Sequence, residues 1–238
     1  DALPIYEETF EDIFFDQLVK KDLKVERQVE FEVFFKENRV GLYIPDLIVE
    51  RKAIIELKVV PELFPLHKAQ IISYLKVTGL PLGILVNFGG PKLYIKGFPN
   101  NISNNKVINI NFDINKINLS QDVKYTIKPL LEISQEILET LGPGFFHQVY
   151  RRAFWHELNR KNIGFELIKK LELNYKGTIY GEKEVRYFKL GNLLLSIVAV
   201  KNLDELQINS FAKLIKHYQC NHGLIINFNN TIVDFRYL

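Results

Sequence analysis

The stretch GLYIPDLIVERKAIIELKVV, residues 41–60, decides the fold of the first half of the chain. Apolar and β-branched residues flank the polar segment 50–52 on both sides, a pattern typical of two strands joined by a short turn. With residues 50–52 as the turn, Val49 pairs with Ala53. The stretch therefore predicts an antiparallel hairpin whose second strand, residues 53–60, is buried.

The same register brings two carboxylates together. Asp46 lies opposite Glu56, with Cβ atoms about 4.5–5.5 Å apart, and Lys58 points to the same face because side chains alternate along a strand. Two opposed carboxylates destabilise a sheet unless they share a proton or bind a cation. Their oxygens suit Mg²⁺ or Mn²⁺, which polarise a phosphate and lower the pKa of bound water. Three roles stay open for Lys58, which can orient that water, deprotonate it or neutralise charge on phosphorus.

A first helix, predicted over residues 5–21, adds an acidic candidate. Its apolar stripe consists of Phe10, Ile13, Phe14 and Leu18. Glu7 lies on this stripe, above Phe10 and Phe14, where a carboxylate is costly unless it is paired or ligates metal.

A second helix, predicted from Pro65 to about residue 77, carries polar candidates on one face. Gln70 and Tyr74 are one turn apart. A glutamine can steer water or a phosphate, and a tyrosine can stack on nucleic acid or hydrogen-bond to it. His67 shares this face and Lys68 follows it, so both are candidate nucleic-acid contacts. Packing on the helix is the alternative for His67.

The chain matches itself with a shift of 140 residues. The run GILVNF at 83–88 is superposed on GLIINF at 223–228, and the register holds over almost 100 residues. This self-similarity predicts two divergent copies, residues 1–98 and 125–238.

An asparagine-rich linker, residues 99–124, joins the two predicted copies. Asparagine favours turns, although the alternation over 107–110 also predicts a short strand there. A helix over 127–141 precedes the matching point of the second copy. The first copy has no counterpart of it and the chain begins at Asp1 without any methionine, so we expect that the natural N-terminus is missing.

The predicted element order within a copy is α-β-β-β-α-β-β. The strands of the first copy are predicted at 24–35, 40–49, 53–60, 82–88 and 92–95. This order indicates an α/β fold, with two sandwich units in tandem, each a mixed central sheet flanked by helices.

Residues 4–97 resemble the GxxExxY family of the PD-(D/E)XK nuclease superfamily. The resemblance rests on Glu7 and on the runs LKVERQVEFEVFF, GLYIPDLIVE, AIIELKVV, HKAQIISYLKVTGLPLGILVNFG and PKLYIKGF. The motif that names the family is changed, because Pro4 stands at its glycine and Phe10 at its tyrosine.

This resemblance implies a Mg²⁺-dependent (or Mn²⁺-dependent) phosphodiesterase acting on DNA, with RNA as a further substrate class. The implied metal ligands are Asp46, Glu56, the Leu57 carbonyl and, as an accessory, Glu7. The implied catalytic set is Asp46, Glu56 and Lys58 with Gln70 as an orienting group, and the implied nucleic-acid contacts are Tyr74, His67 and Lys68.

The second copy keeps the glycine and tyrosine of the motif that names the family, as Gly144 and Tyr150, but it lacks the candidate site residues of the first copy. With the 140-residue shift, Glu7 becomes His147, Asp46 becomes Arg186, Glu56 becomes Ser196, Lys58 becomes Val198, and Gln70 becomes Ser210. The fold therefore does not require these five residues. Their joint presence in the first copy predicts one active centre per chain and a pseudo-nuclease second copy, in a monomer with an internal pseudo-dimer.

Composition sets few limits on function. The chain is 47% hydrophobic and 25% charged, as in ordinary globular proteins, and no apolar run reaches the roughly 18 residues of a membrane span. Its single cysteine, Cys220, favours a cytoplasmic setting. His217 and His222 flank it, but no fourth ligand has a spacing that fits zinc.

Charge is unevenly distributed. Residues 1–98 carry 13 Lys and Arg against 15 Asp and Glu, and the remainder carries 18 against 13. A basic second half suits contact with phosphates, and an unevenly charged solvated surface explains it equally well. The pairs 151–152 and 169–170 are open to the same two interpretations.

Two alternatives to an active nuclease remain at this stage. One is a catalytically inactive module that binds nucleic acid or protein on the nuclease fold. The other is a regulatory protein that binds metal without turnover.

Overall fold

The computed structural model describes residues 7–100, 109–110, 119–201, 203–228 and 232–238. The expectations for Pro4 and for most of the linker, residues 101–108 and 111–118, lie outside the described residues. The chain divides into two compact units, residues 1–104 with 144–149 and residues 105–143 with 150–238. The predicted α/β class is confirmed, because each unit has a mixed sheet and helices.

The first unit contains two described helices and a five-stranded sheet. Its elements are α1 Glu7–Val19, β1 Val25–Arg27, β2 Phe31–Phe35, β3 Asn38–Tyr43, β4 Leu47–Val49, β5 Ala53–Lys58, α2 Pro65–Thr78, β6 Leu82–Asn87 and β7 Tyr94–Pro99. The strand order is β1-β4-β5-β6-β7, with β5 and β6 parallel and the other neighbours antiparallel. Strands β2 and β3 form a separate two-stranded sheet.

The predicted hairpin is present as β4 and β5. Val49 pairs with Ala53 and Leu47 with Ile55, and the turn is closed by Glu50 and Arg51 with φ of 52° and 50°. Both α1 and α2 contact β5, so this strand is buried. Its side chains are apolar except for Glu56 and Lys58.

Two of the predicted strands are each interrupted. The expected strand 24–35 becomes β1 and β2, because Gln28 takes a φ of 51° and its N–H donates to Asp46 O at 3.1 Å. The expected strand 40–49 becomes β3 and β4 around Pro45, which lacks the N–H that a sheet ladder needs. A further strand, expected at 92–95, runs over Tyr94–Pro99 instead.

The buried face of α1 differs from the expected stripe. Ile13 is 53% exposed, whereas Phe14, Phe15 and Leu18 pack on the core. The residue of α1 that is buried is the acid Glu11, at 4% exposure. The stripe prediction was therefore wrong by one position at Ile13, and it passed over Glu11.

The second unit is built on a six-stranded sheet of order β8-β13-β12-β11-β10-β9. Its elements are β8 Asn109–Ile110, α3 Gln121–Leu141, α4 His147–Arg160 (which begins in the first unit), β9 Glu166–Tyr175, β10 Thr178–Leu190, β11 Leu193–Val198, α5 Glu205–His217, β12 His222–Asn227 and β13 Ile232–Tyr237. The helix expected at 127–141 thus begins at Gln121. None of the helices in the described ranges has the length and apolarity to cross a membrane.

The two units share the register of the parallel strand pair, but the hairpin of the second unit is one residue shorter, because Leu190 pairs with Leu193. The residue opposite Ser196 is therefore Tyr187, which corrects the expected match of Arg186 with Asp46. In the first unit β5 and β6 pair from Ala53 with Leu82 to Lys58 with Asn87. In the second, β11 and β12 pair from Leu193 with His222 to Val198 with Asn227, which is the same register shifted by 140 residues.

Two further contacts repeat with the same shift. Asn87 accepts from Val60 N at 3.0 Å and donates to Val60 O at 2.8 Å, as Asn227 does with Val200 at 2.9 and 2.9 Å. The Phe10 ring stacks on Phe88 with centroids 4.3 Å apart, and the Tyr150 ring stacks on Phe228 at 4.6 Å.

Candidate functional site

The candidate site lies where the hairpin of the first unit ends. Carried one residue beyond the Leu47–Ile55 pair, the register sets Asp46 opposite Glu56. Asp46 Oδ2 accepts from Leu57 N at 2.7 Å. Among the described residues, Oδ1 has no hydrogen-bond partner, so this oxygen is available to a ligand.

Glu56 is the most deeply buried group of the site. Its exposure is 0%, and neither carboxylate oxygen accepts a directional hydrogen bond from a described residue. Oε1 does lie 2.9 Å from Lys58 Nζ, as a charge contact outside hydrogen-bond geometry. Burial, followed by repulsion from Asp46, raises the pKa of Glu56 to about 8. Burial is also the main reason that the pKa of Asp46 rises to about 6.

The Lys58 ammonium contacts two carboxylates and one backbone carbonyl of the site. Its Nζ donates to Glu7 Oε1 at 2.8 Å and to Leu57 O at 2.8 Å. Burial alone would lower the pKa of this ammonium, but the neighbouring carboxylates, Glu56 foremost, raise it above the usual lysine value. Lys58 is therefore a charged group at neutral pH.

Glu7 is not placed beside the other two acids as a third ligand. Its side chain is 42% exposed and pairs with Lys58, because the ammonium lies between Glu7 and the hairpin carboxylates. Among the residues that the structure describes, no group of three or more His, Cys, Asp or Glu side chains is arranged so that it could hold a metal ion. The accessory-ligand role of Glu7 stays a prediction, and in this structure Glu7 is the ion-pair partner of Lys58.

Gln70 and Tyr74 are brought to the site by α2, but they face the protein. Gln70 Nε2 donates to Tyr74 Oη at 2.8 Å, and Tyr74 Oη donates to Ile44 O at 3.0 Å. Tyr74 is 6% exposed, which leaves no ring face on which a base can stack. This placement argues against the expected nucleic-acid contact of Tyr74 and gives it a positioning role two residues before Asp46.

His67 and Lys68 lie in the first turn of α2. His67 Nδ1 accepts from Phe64 N at 3.2 Å, so one ring nitrogen closes the start of the helix. Burial and then the charge of Lys58 lower the pKa of His67, which favours the neutral ring. Lys68 is exposed and is available to a phosphate.

Glu11 belongs to the site region, although the apolar pattern did not reveal it. Its carboxylate accepts from Gln28 Nε2 at 3.0 and 3.2 Å and pairs with Arg27 at 3.1 Å. Since Gln28 N donates to Asp46 O, Glu11 helps to fix the backbone of Asp46. Glu11 follows Glu7 by one helical turn, and that spacing of two acids was the available signal.

The donor set fits a divalent cation. Asp46, Glu56 and the Leu57 carbonyl supply oxygens of the kind that Mg²⁺ and Mn²⁺ take. Lys58 Nζ is the one polar group that pairs with the Glu56 carboxylate among the described residues, so the other lone pairs of this carboxylate remain for a cation.

Comparison with known proteins relates most of the chain to one protein family. A family model described as the PD-(D/E)XK nuclease superfamily matches residues 3–98 and 124–236. No curated protein matches the chain. The crystal structure of SSO0001 is similar at 21% sequence identity and a TM-score of 0.31, over 39% of this chain and 48% of that one. This chain thus spans about half of that solved chain.

Proposed function

Because this chain belongs to the PD-(D/E)XK nuclease superfamily, we propose that its first unit is a metal-dependent nuclease hydrolysing phosphodiester bonds in DNA. Nucleases of the superfamily generally use divalent metals. The observation that carries the proposal is Glu56, fully buried beside a second carboxylate, Asp46, with a single ammonium, Lys58 Nζ, 2.9 Å from its Oε1. Such a carboxylate is costly to keep unless a function requires it.

Asp46, Glu56 and the Leu57 carbonyl would hold Mg²⁺ or Mn²⁺. When bound, the cation supplies polarisation of the phosphate and a bound water of lowered pKa. The Leu57 carbonyl accepts from Lys58 Nζ at 2.8 Å, and its second lone pair would be the one offered to the cation.

Lys58 acts as a cation in this proposal. Its raised pKa makes it a poor base at neutral pH, so of its three roles we favour neutralising the charge that develops on phosphorus. Glu7 Oε1 accepts from this ammonium at 2.8 Å and helps to hold it in place. Gln70 and Tyr74 position the segment before Asp46, and Lys68 contacts the phosphate backbone.

We further infer that the two units are divergent tandem copies related to the GxxExxY family. The 140-residue shift preserves the register of the parallel strands, the asparagine clamps and the stacked ring pairs. The second copy has Ser196 and Val198 where the first has Glu56 and Lys58. The chain then has one active centre, and the second copy is a pseudo-nuclease.

Cleavage assays test the proposal. The chain is incubated with single-stranded, double-stranded and branched DNA and with RNA, in Mg²⁺, Mn²⁺ or EDTA. We expect cleavage of DNA with metal only, and a fall of at least about 100-fold in Asp46→Ala and Lys58→Ala. Lys52→Ala, on the exposed turn of the same hairpin, is the matched control for Lys58→Ala.

Equal cleavage by the wild type and both site variants would overturn the site assignment. Binding of nucleic acid without cleavage by the wild type, under every metal condition, would instead favour the inactive binding module.

A further inference from the structure

Phe64 is an exposed aromatic residue at the start of α2. It is the N-cap of this helix, and its side chain is 60% exposed, although large apolar side chains are usually buried. A phenylalanine has no atom that can accept a hydrogen bond from the backbone of the helix, and the side chain of Phe64 makes no such bond. Phe64 therefore contributes no side-chain cap, and most of its ring lies outside the core.

The second unit has a capping residue at the equivalent position. Shifted by 140 residues, Phe64 corresponds to Asp204, the N-cap of α5. Asp204 Oδ1 accepts from Gln207 N at 2.6 Å, the bond that makes aspartate one of the preferred N-cap residues.

The two helices otherwise start in the same way. The backbone N–H of Phe64 donates to His67 Nδ1 at 3.2 Å, and that of Asp204 donates to Gln207 Oε1 at 3.4 Å. The first unit thus has an apolar ring where a cap would fit. A residue that breaks a local rule in this way is expected where its side chain has a function.

The topology of the first unit places Phe64 at the edge of the sheet that carries the candidate metal site. Strands β5 and β6 are parallel neighbours, and α2 connects them. A helix that connects two parallel strands runs back along the sheet, so α2 begins at the edge where β5 ends. Lys58 is the last residue of β5 and Phe64 directly precedes α2, so both lie at that edge.

His67 supplies a second ring beside Phe64. The two ring centroids are 5.9 Å apart, and the planes are inclined by 58°. Because Nδ1 of His67 accepts from Phe64 N, the hydrogen of the neutral imidazole is on Nε2, where it can be donated. The pair therefore offers an exposed aromatic ring with a hydrogen-bond donor at its side.

The charges beside Phe64 offset each other. Glu62 and Lys68 are both exposed and lie on either side of Phe64 in the sequence. A ligand of Phe64 is therefore held by the ring more than by net charge. In the proposed reaction a phosphodiester lies at the hairpin carboxylates, and the bases of the same strand are the flat groups available to this ring, since every base has a π-face that can stack on an aromatic side chain.

We propose that Phe64 stacks on an unpaired base of a DNA strand whose phosphodiester lies at Asp46 and Glu56, so that the substrate is single-stranded DNA or the single-stranded part of a branched DNA. This inference rests on the proposed nuclease function. In a duplex the faces of each base are covered by its neighbours in the stack. The ring therefore gains a base contact only with an unpaired strand.

Binding by the full chain in EDTA tests this contact without cleavage. The probes are a short oligothymidylate, its duplex with the complementary strand, and an abasic strand that keeps the phosphates but has no bases. We expect Phe64→Ala to weaken oligothymidylate binding about tenfold, and to change binding of the duplex and the abasic strand by less than about twofold. Phe64→Trp keeps an aromatic face and should bind oligothymidylate about as tightly as the wild type.

Two further variants separate stacking from folding. Phe64→Ser introduces a neutral capping side chain, so it should keep the start of α2 intact and lose as much oligothymidylate affinity as Phe64→Ala. Phe34→Ala is the matched control, because Phe34 is 51% exposed and lies on the separate sheet of β2 and β3. Its affinity for oligothymidylate should equal that of the wild type.

Oligothymidylate binding that is unaffected by Phe64→Ala and Phe64→Ser, or that is weakened equally by Phe34→Ala, would overturn the stacking contact. An equal loss of affinity for the single strand and the duplex would overturn the preference for unpaired DNA. Failure of the nuclease proposal gives a different result, namely no metal-dependent cleavage by a wild type whose binding in EDTA still depends on Phe64. Normal cleavage with unchanged affinity in the Phe64 variants would remove the contact and leave the nuclease.

Discussion

Lys58 Nζ lies 2.9 Å from Oε1 of Glu56, and the Glu56 carboxylate is fully buried. The ammonium therefore contacts a group whose pKa is raised to about 8. Near neutral pH the carboxyl takes up a proton, and a cation that replaces this proton returns it to the charged form. Protonation, metal binding and stability are thus linked at this one side chain.

Stability without metal should fall as pH rises. The pKa of Glu56 is raised from 4.5 to about 8 in the folded protein, so between these values the folded state binds a proton that the unfolded state has released. The free energy of unfolding in EDTA therefore decreases across this window. In Glu56→Gln the decrease becomes shallower, as measured by urea unfolding near about pH 5 and about pH 8. Parallel pH profiles for the two proteins would contradict the burial of this group.

Divalent cations should stabilise the first unit. A ligand that binds only the folded state at about 100 times its Kd adds about 2.7 kcal/mol. Mg²⁺ or Mn²⁺ is therefore expected to raise the thermal midpoint of the wild type and to leave that of Asp46→Asn almost unchanged. Asp16→Asn, on the exposed face of α1, is the control with the same loss of charge. An equal rise in all three proteins would show that the metal binds elsewhere.

The two asparagine clamps should contribute similar stability. Asn87→Ala leaves the partly buried N–H and C=O of Val60 without their side-chain partner, and Asn227→Ala does the same to Val200. We expect each variant to lose about 2–3 kcal/mol of unfolding free energy, measured by urea denaturation. Asn192→Ala, at an exposed turn of the second unit, should lose little. A large loss in only one clamp variant would count against a common architecture.

Glu11 should act on catalysis through Asp46. In Glu11→Ala the Gln28 amide loses its acceptor, so Asp46 is held less firmly. We expect cleavage to fall about tenfold, with a weaker apparent metal affinity. Glu11→Gln retains an acceptor oxygen and should recover part of both. Asp12→Ala removes only an exposed partner of Arg27 and is the control. Reduced stability with unchanged metal affinity would limit Glu11 to a structural role.

Sequence patterning was sufficient for the hairpin of the first unit. Apolar runs bounded by Glu50 and Arg51 define one turn, and a side-chain period of two then fixes which residues share a face. For this reason the opposition of Asp46 and Glu56 was predictable. The α/β class followed from the order of the elements and is confirmed.

The remaining details depend on tertiary contacts. The break at Gln28 arises from hydrogen bonds to Asp46 and Glu11, which are distant in sequence. Glu7 pairs with Lys58, and Tyr74 donates to the carbonyl of Ile44. Both contacts join residues that are distant in sequence. Local patterns carry no information on such partners, so these roles required the structure.

The central claim is a single active centre in the first unit, and substituting the two equivalent residues Glu56 and Ser196 one at a time tests it most directly. Glu56→Ser introduces the residue that the second unit has at this position, and Ser196→Ala alters the second unit there. The measurement is the Mg²⁺-dependent cleavage rate of DNA by each variant. The account predicts a loss of at least about 100-fold in Glu56→Ser and a rate within about twofold of the wild type in Ser196→Ala. Undiminished cleavage by Glu56→Ser would contradict it.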